Sequence, residues 1–222
     1  MAAYTTDALI LRTYKLGESD RIVVFLTRDR GKKRGVAKNA RQSRRRFGAA
    51  LEPLTYGRLG YVERERRELV HLQYVEPIRS PLGITSITSM AGAADGEALG
   101  YVSYFAELID EWAPEADPNE TLFRLGASMV DALARGVPVD PLARYFEYWL
   151  LRLQGVYEAD TRLSPEAREF LAAARGLSPY ALSDLAVSTR ALRELEAAHR
   201  ASIAMHLEKD LKSVRVLRDM RR

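Results

Sequence analysis

Cysteine is absent from this 222-residue sequence, and histidine occurs only three times. The first absence excludes disulfides and any thiolate-held zinc or iron–sulfur centre, and it fits a reducing, cytoplasmic setting. No apolar run reaches the roughly 18 residues that would cross a bilayer. The N-terminal MAAYTTDALILRTYKLGESDR lacks the basic segment and long apolar core of a secretory signal, so no membrane or export role is expected. A nucleotide-triphosphate loop is missing too: GKKRG at 31–35 has no upstream glycine and no hydroxyl after the lysine. No catalytic constellation emerges. His71 falls in an expected strand, while His199 and His206 share one face of an expected helix without a ligand cluster beside them, and they read as packed or surface residues. The acid pairs Asp110/Glu111 and Glu194/Glu196 read as solvated helix charge, and Asp20 and Asp29 as turn residues. The expectation is a protein that is not an enzyme and needs no metal or other cofactor.

What is present is ordinary in total and uneven in distribution. The chain is 47% hydrophobic and 29% charged, which suits a folded protein, and its length suits two domains. Residues 1–80 carry 18 Lys and Arg against 9 Asp and Glu, a net +9, whereas residues 81–222 carry 16 against 21, a net −5. A basic first half suggests a polyanion as partner, and the acidic second half argues against a second nucleic-acid surface there.

In chain order, five β-prone runs are expected as strands at 4–14, 21–27, 33–38, 51–61 and 69–75, with Val70, Leu72 and Tyr74 on one face of the last. Asn39 to Gly48 reads as a polar, unburied connection. Five short strands without a βαβ unit predict a small barrel of the OB kind, whose face and loops bind oligonucleotides. Pro77 and Pro81 mark the boundary between domains at 1–80 and 81–222. Beyond it the pattern is helical: 84–112, then starts at Asp117–Pro118, Asp140–Pro141 and Ser164–Pro165 with stops at Gly136, Gly155 and Gly176, then 184–219. Gly92, Gly96 and Gly100, four apart, suggest close helix packing or a helix break. The fold class is thus multidomain β plus α, a barrel followed by an all-α helical bundle without a zinc site.

Two stretches carry the functional reading. RDRGKKRGVAKNARQSRRRF, from Arg28 to Phe47, holds ten basic residues against one acid. Lys32, Lys33, Arg34, Lys38, Arg41, Arg44, Arg45 and Arg46 are candidate phosphate contacts, and Phe47 or Tyr14 a candidate base-stacking ring. The plainer reading is a solvated charged loop. On the third expected helix, Arg144 and Tyr148 lie four apart beside Phe146, Trp149 and Leu150. They form either bundle core under a snorkelling arginine or a pocket for an acidic, apolar peptide.

The order of short motifs GESDR at 17–21, TRDRG at 27–31, VAKNAR at 36–41 and LEPLT at 51–55 resembles the bacterial RecO recombination mediators. SPLG at 80–83, AELI at 106–109, FEYWLL at 146–151 and LKS at 211–213 agree more weakly. The resemblance implies an OB-fold that binds single- and double-stranded DNA, a helical domain, annealing of complementary strands, and a cytoplasmic, nucleoid-associated DNA repair protein. Implied partners are RecR, the acidic C-terminal tail of single-stranded-DNA-binding protein and, indirectly, RecA. Lys38, Arg41 and Arg44 to Arg46 match the family's basic positions, and Arg144 its basic residue before FE. Asn39 stands where glycine is usual, and GVYEADTRLS at 155–164 has none of the zinc-binding cysteines of many members, so that connection must be held by packing alone. An RNA-binding or ribosome-associated adaptor would use the same basic barrel.

Overall fold

A computed structural model describes residues 1–43, 46–65, 67–81, 93–158 and 162–220, with the backbone alone over 93–97. Five strands, β1 Ala2–Leu16, β2 Asp20–Thr27, β3 Gly31–Ala37, β4 Tyr56–Glu63 and β5 Val70–Arg79, close into a barrel in the order β1-β2-β3-β5-β4. Helices follow: α1 Ala93–Trp112, α2 Glu120–Ala134, α3 Val139–Leu153, α4 Pro165–Ala174, a 3-10 turn Pro179–Asp184, α5 Thr189–Leu207 and α6 Lys212–Met220. The long β1 serves both neighbours, pairing Ala2–Leu9 with β4 and Ala8–Leu16 with β2 around an irregularity between Ile10 and Arg12. All pairings are antiparallel except β3 with β5, which closes the barrel.

The alternation of side chains decides what each wall faces. In β1 and β2, Ala8, Ile10, Val23 and Phe25 point into the barrel, while Leu9, Leu11, Val24 and Leu26 join the core of the helical region. Strands buried on both faces read as unbroken apolar runs, which is why ALIL at 8–11 and the IVVFL of RIVVFLT do. The other walls are covered on one side only. In β4, exposed Arg58 sits beside buried Leu59, and in β5 exposed Gln73 beside buried Leu72.

Several expectations change. Strand four starts at Tyr56, because Leu54 takes a left-handed φ of 56°. Its backbone N–H still donates to Ile10 O at 2.7 Å. Strand five runs on through Pro77 to Arg79, and an irregularity between Gly60 and Tyr61 shifts its phase. Val75 therefore turns inward with Val70 and Leu72, and Tyr74 is only half-buried. The 39–48 connection is not excluded from the interior: Ala40 and Phe47 are buried in the barrel core, as are Ala50 and Leu51 just after it. Charge on a segment is compatible with burial of its few apolar residues when the segment lies across a barrel end.

Among the helices, Ser164 caps α4 as expected, accepting from the Ala167 N–H, and Gly136 and Gly155 follow their helices at φ 74° and 72°. Asn119 rather than Asp117 caps α2, through the Leu122 N–H. α3 begins one residue before Asp140, whose carboxylate instead accepts the Tyr101 hydroxyl at 2.7 Å. Of the spaced glycines, Gly100 is a close-packing site: a Cβ there would lie 2.6 Å from Leu217 Cδ2. Gly92 lies outside the described residues.

Candidate nucleic-acid interface

The basic half meets the acidic half inside the molecule. Arg12 on β1 reaches Asp110 at 2.9 Å and both Glu107 and Glu111 at 3.2 Å. Lys32 is buried, its ammonium against the Asp110 carboxylate at 3.4 Å and donating to the Asp110 carbonyl. Its backbone N–H also donates to Pro114 O, and its carbonyl accepts from Ala116 N–H. Gly31, at φ 67°, starts this seam, and a Cβ there would lie 2.4 Å from the Asp117 backbone. Arg28 pairs with Glu120 and Arg34 with Glu115, both at 3.0 Å and both exposed. Arg79 pairs with Asp131. Asp110 and Glu111 are thus fasteners of the fold rather than solvated charge.

These contacts divide the expected phosphate-binding set. Lys32 is 8% exposed and faces α1, so it leaves that set, and Lys33 is held by Glu63 at 2.8 Å. Phe47 is 2% exposed, inside the barrel, with the Arg46 guanidinium 5.1 Å from its ring centroid. A ring so enclosed offers no face to a base, and the stacking expectation for Phe47 is corrected. Tyr14, at 48% exposed, keeps a free face. Arg46 donates to Ser43 Oγ and Lys38 O, and Arg41 to Glu18 O. Both side chains pin the connection to its own barrel. Arg44 and Arg45 lie outside the described residues.

Lys38 is exposed, and its side chain pairs with no described residue. It stands on the rim of an open cleft of about 520 Å³ between the end of β3 and the β4–β5 hairpin, with Arg64, Arg67 and His71. Val36, Val62 and Val70 form an apolar floor, and Glu68 is the one acid. Arg64 and Arg67 are exposed and likewise pair with no described residue. The cleft depends on close approach of β3 and β5, where Gly35 pairs with Val70. A Cβ on Gly35 would stand 2.4 Å from Leu72 Cδ1. Arg64 and Arg67 lie between the fourth and fifth expected strands, where nothing in the local pattern connects them to Lys38. The signal was the RERR run beside a strand that closes the barrel. Asn39, where the resemblance implies a glycine, takes φ 53°, a conformation asparagine tolerates better than most residues. The glycine-like turn is kept. Asp20 and Asp29 hold turns as expected, accepting from the Asn39 N–H at 2.8 Å and the Thr6 hydroxyl at 2.6 Å.

On the helical side, Arg144 and Tyr148 are 2% and 0% exposed. The Arg144 guanidinium meets Glu147 at 2.8 Å and Glu196 at 3.5 Å, and Glu147 also accepts the Tyr104 hydroxyl at 2.8 Å and contacts His199 Nδ1 at 3.1 Å. Burial alone would raise the Glu147 carboxyl, but Arg144, His199 and the Tyr104 hydroxyl outweigh it and hold it below the usual carboxylate range. The same burial, with Glu147 beside it, pushes the Tyr104 phenol up. No peptide reaches this interior cluster, so the expected surface pocket is corrected: Arg144 sits in an enclosed ion network, and Tyr148 is buried with its hydroxyl accepting from Arg152 and Arg175 at 2.8 and 2.9 Å. Glu196 is likewise no solvated charge, and Glu194 accepts the Ser164 N–H at 3.2 Å. Beyond packing of Tyr157 on Tyr148 at 4.9 Å, that hydrogen bond ties down the connection that has no zinc cysteines. Among the described residues, no group of three or more His, Cys, Asp or Glu is arranged to hold a metal ion, and no helix is long and apolar enough to cross a membrane.

A five-stranded barrel in this order, closed by the parallel contact of β3 with β5, defines an OB-fold domain. The family model described as Recombination protein O N terminal matches residues 1–81, and the one described as Recombination protein O C terminal matches residues 93–159. The chain is 42% identical over 150 residues to the DNA repair protein RecO of Koribacter versatilis, covering 68% of this chain and 58% of that one. It is 38% identical over 156 residues to that of Geobacter metallireducens, covering 70% and 59%. To that of Anaeromyxobacter sp. strain K it is 38% identical over 151 residues, covering 67% and 55%. The chain belongs to the RecO family, as its short motifs suggested, and the matched part spans 55% to 59% of the length of these relatives.

Proposed function

We propose that the chain is a DNA repair and recombination mediator that binds single- and double-stranded DNA through the barrel cleft and anneals complementary strands without catalysing bond cleavage. The observation that carries this reading is the set of Lys38, Arg64 and Arg67, three cations without a described partner around an apolar-floored cleft of an OB barrel. Cations so placed neutralise phosphates and release counterions, while base pairing selects the sequence. Lys38→Gln/Arg64→Gln/Arg67→Gln should weaken binding of a labelled oligonucleotide by about a hundredfold at low salt and shallow its salt dependence, as each lost phosphate contact predicts. Unchanged affinity would sink the reading. Competition between DNA and RNA oligomers of one sequence separates it from the RNA-adaptor alternative, and cleavage of DNA with magnesium would instead favour a nuclease.

Work with RecR, delivery of RecA and docking of the acidic tail of single-stranded-DNA-binding protein complete the proposal. With Arg144 enclosed, a different surface suits the tail. A groove of about 590 Å³ between barrel and helices is lined by Phe123, Arg124, Tyr145, Trp149 and Tyr180, and the Arg135 guanidinium lies 4.2 Å from the Tyr180 ring centroid. Surface cation beside aromatic ring is the chemistry an acidic, apolar tail needs. Arg124→Ala should weaken binding of such a peptide while sparing DNA, and equal loss of both would count against the assignment.

A further inference from the structure

The acidic helical half carries a basic cleft of its own. Between α5 and α6 lies an open cavity of about 410 Å³, with Ile203, Leu211 and Val214 as its apolar wall. Arg200, Lys209, Lys212, Arg215 and Arg218 also line it, against the single acid Asp210. Arg200 is held by Glu196 at 2.6 Å and Lys209 by Glu111. Lys212, Arg215 and Arg218 are exposed, and their side chains pair with no described residue.

This face is held in place. Ser213 and Leu217, on the other side of α6, are buried, and Leu217 fits the space left by Gly100. Glu107 accepts the Lys212 and Ser213 N–H groups at 3.2 and 2.7 Å and the Ser213 hydroxyl, and it also pairs with Arg12 of the barrel. Burial alone would raise the Glu107 carboxyl; the Ser213 hydroxyl, the two N–H groups and Arg12 more than offset it and hold it below the usual range. One carboxylate therefore links β1 to the start of the cationic helix.

We propose that the α5–α6 cleft binds the phosphodiester backbone of a second nucleic-acid strand, so that one chain carries one strand on the barrel and another here. This rests on the barrel reading above. Charge complementarity selects the occupant, since cations crowd one small surface of an otherwise acidic region, and the one aromatic among the described lining residues, Tyr104, is buried with its hydroxyl on Glu147 and offers no stacking platform to base or peptide side chains. Holding two like-charged strands on separate basic surfaces of one body lowers their mutual repulsion and raises their effective concentration for pairing.

The test uses the full chain with donor- and acceptor-labelled oligo-dT, which cannot pair with each other, at one strand of each per protein, with sedimentation confirming one chain per complex. Wild type should give energy transfer between the two strands. Lys212→Gln/Arg215→Gln/Arg218→Gln should bind the first strand within threefold of wild type, lose the transfer and anneal complementary strands at least tenfold more slowly. The charge-keeping Lys212→Arg/Arg215→Lys/Arg218→Lys should retain both, which separates charge from folding. Undiminished transfer and annealing in the Gln variant would overturn the second site, as would loss of first-strand binding in step with the second, or displacement of an acidic peptide rather than of DNA. Unaltered first-strand binding by Lys38→Gln/Arg64→Gln/Arg67→Gln would instead defeat the barrel reading, whatever the α5–α6 cleft does.

Discussion

Lys32 and Lys38 sit six positions apart in one basic stretch and serve opposite ends. Lys32 is buried against Asp110 of α1, whereas Lys38 stands exposed on the rim of the barrel cleft with Arg64 and Arg67. The wall made by β1, β2 and the start of β3 is covered by helices whose carboxylates consume its cations. The wall where β3 meets β5 is open, and its cations are left for solvent or a ligand. Net charge on a half-chain therefore overstates the surface available to DNA, because part of the excess is neutralised across the seam. The same separation recurs on the helical side, between enclosed Arg144 and the exposed row on α6.

The comparison can be broken by exchanging the expected effects of the two groups. The largest effect should come from Glu147→Ala, which leaves Arg144 buried without its main counter-charge. Chemical denaturation should show a loss of about 3–5 kcal/mol, with DNA affinity of the remaining folded protein unchanged. Next, Lys38→Gln/Arg64→Gln/Arg67→Gln should cost about a hundredfold in DNA affinity at low salt and shift the melting temperature little. Lys32→Ala should cost about 1–3 kcal/mol of stability by leaving Asp110 with one fewer partner, again with intact DNA binding; a selective loss of binding would return Lys32 to the interface.

A pH titration sharpens the same division. The Glu107 and Glu147 carboxyls are held below the usual range in the folded chain, so their contribution is present above the ordinary carboxylate value of about 4.3 and is lost as pH falls through their folded values. Stability should drop on the acid side, below about pH 4, and Glu107→Gln should flatten that limb in thermal melts. Smallest of all, Arg34→Ala breaks only an exposed pair with Glu115 and should cost about 0.2–1 kcal/mol.

Much of the fold was legible from local pattern. RIVVFLT announced a strand, Ser164–Pro165 a helix start, and Gly136 and Gly155 helix ends, because each signal is written in a few adjacent residues. The phase of β5 was not legible, since the irregularity opposite Gly60 that turns Val75 inward belongs to the pairing of two strands. Nor was the fate of Phe47: ten charges around it suggested exposure, yet a single ring can enter a barrel end while its neighbours remain outside. For the site, the sequence supplied Lys38 and the family motifs around it. It did not join Lys38 to Arg64 and Arg67, because they come together only through the parallel contact of β3 with β5.

By itself the sequence determined the fold class, the family, the absence of thiolate chemistry and the excess of cations in the first half, all of which depend on residue type and short-range spacing. Only the tertiary structure decided which cations are spent inside the molecule and which remain outside. That choice depends on which carboxylate lies within about 4 Å, where Coulomb attraction and desolvation are both large, and partners such as Arg12 and Asp110 are brought that close only by the packing of α1 against β1.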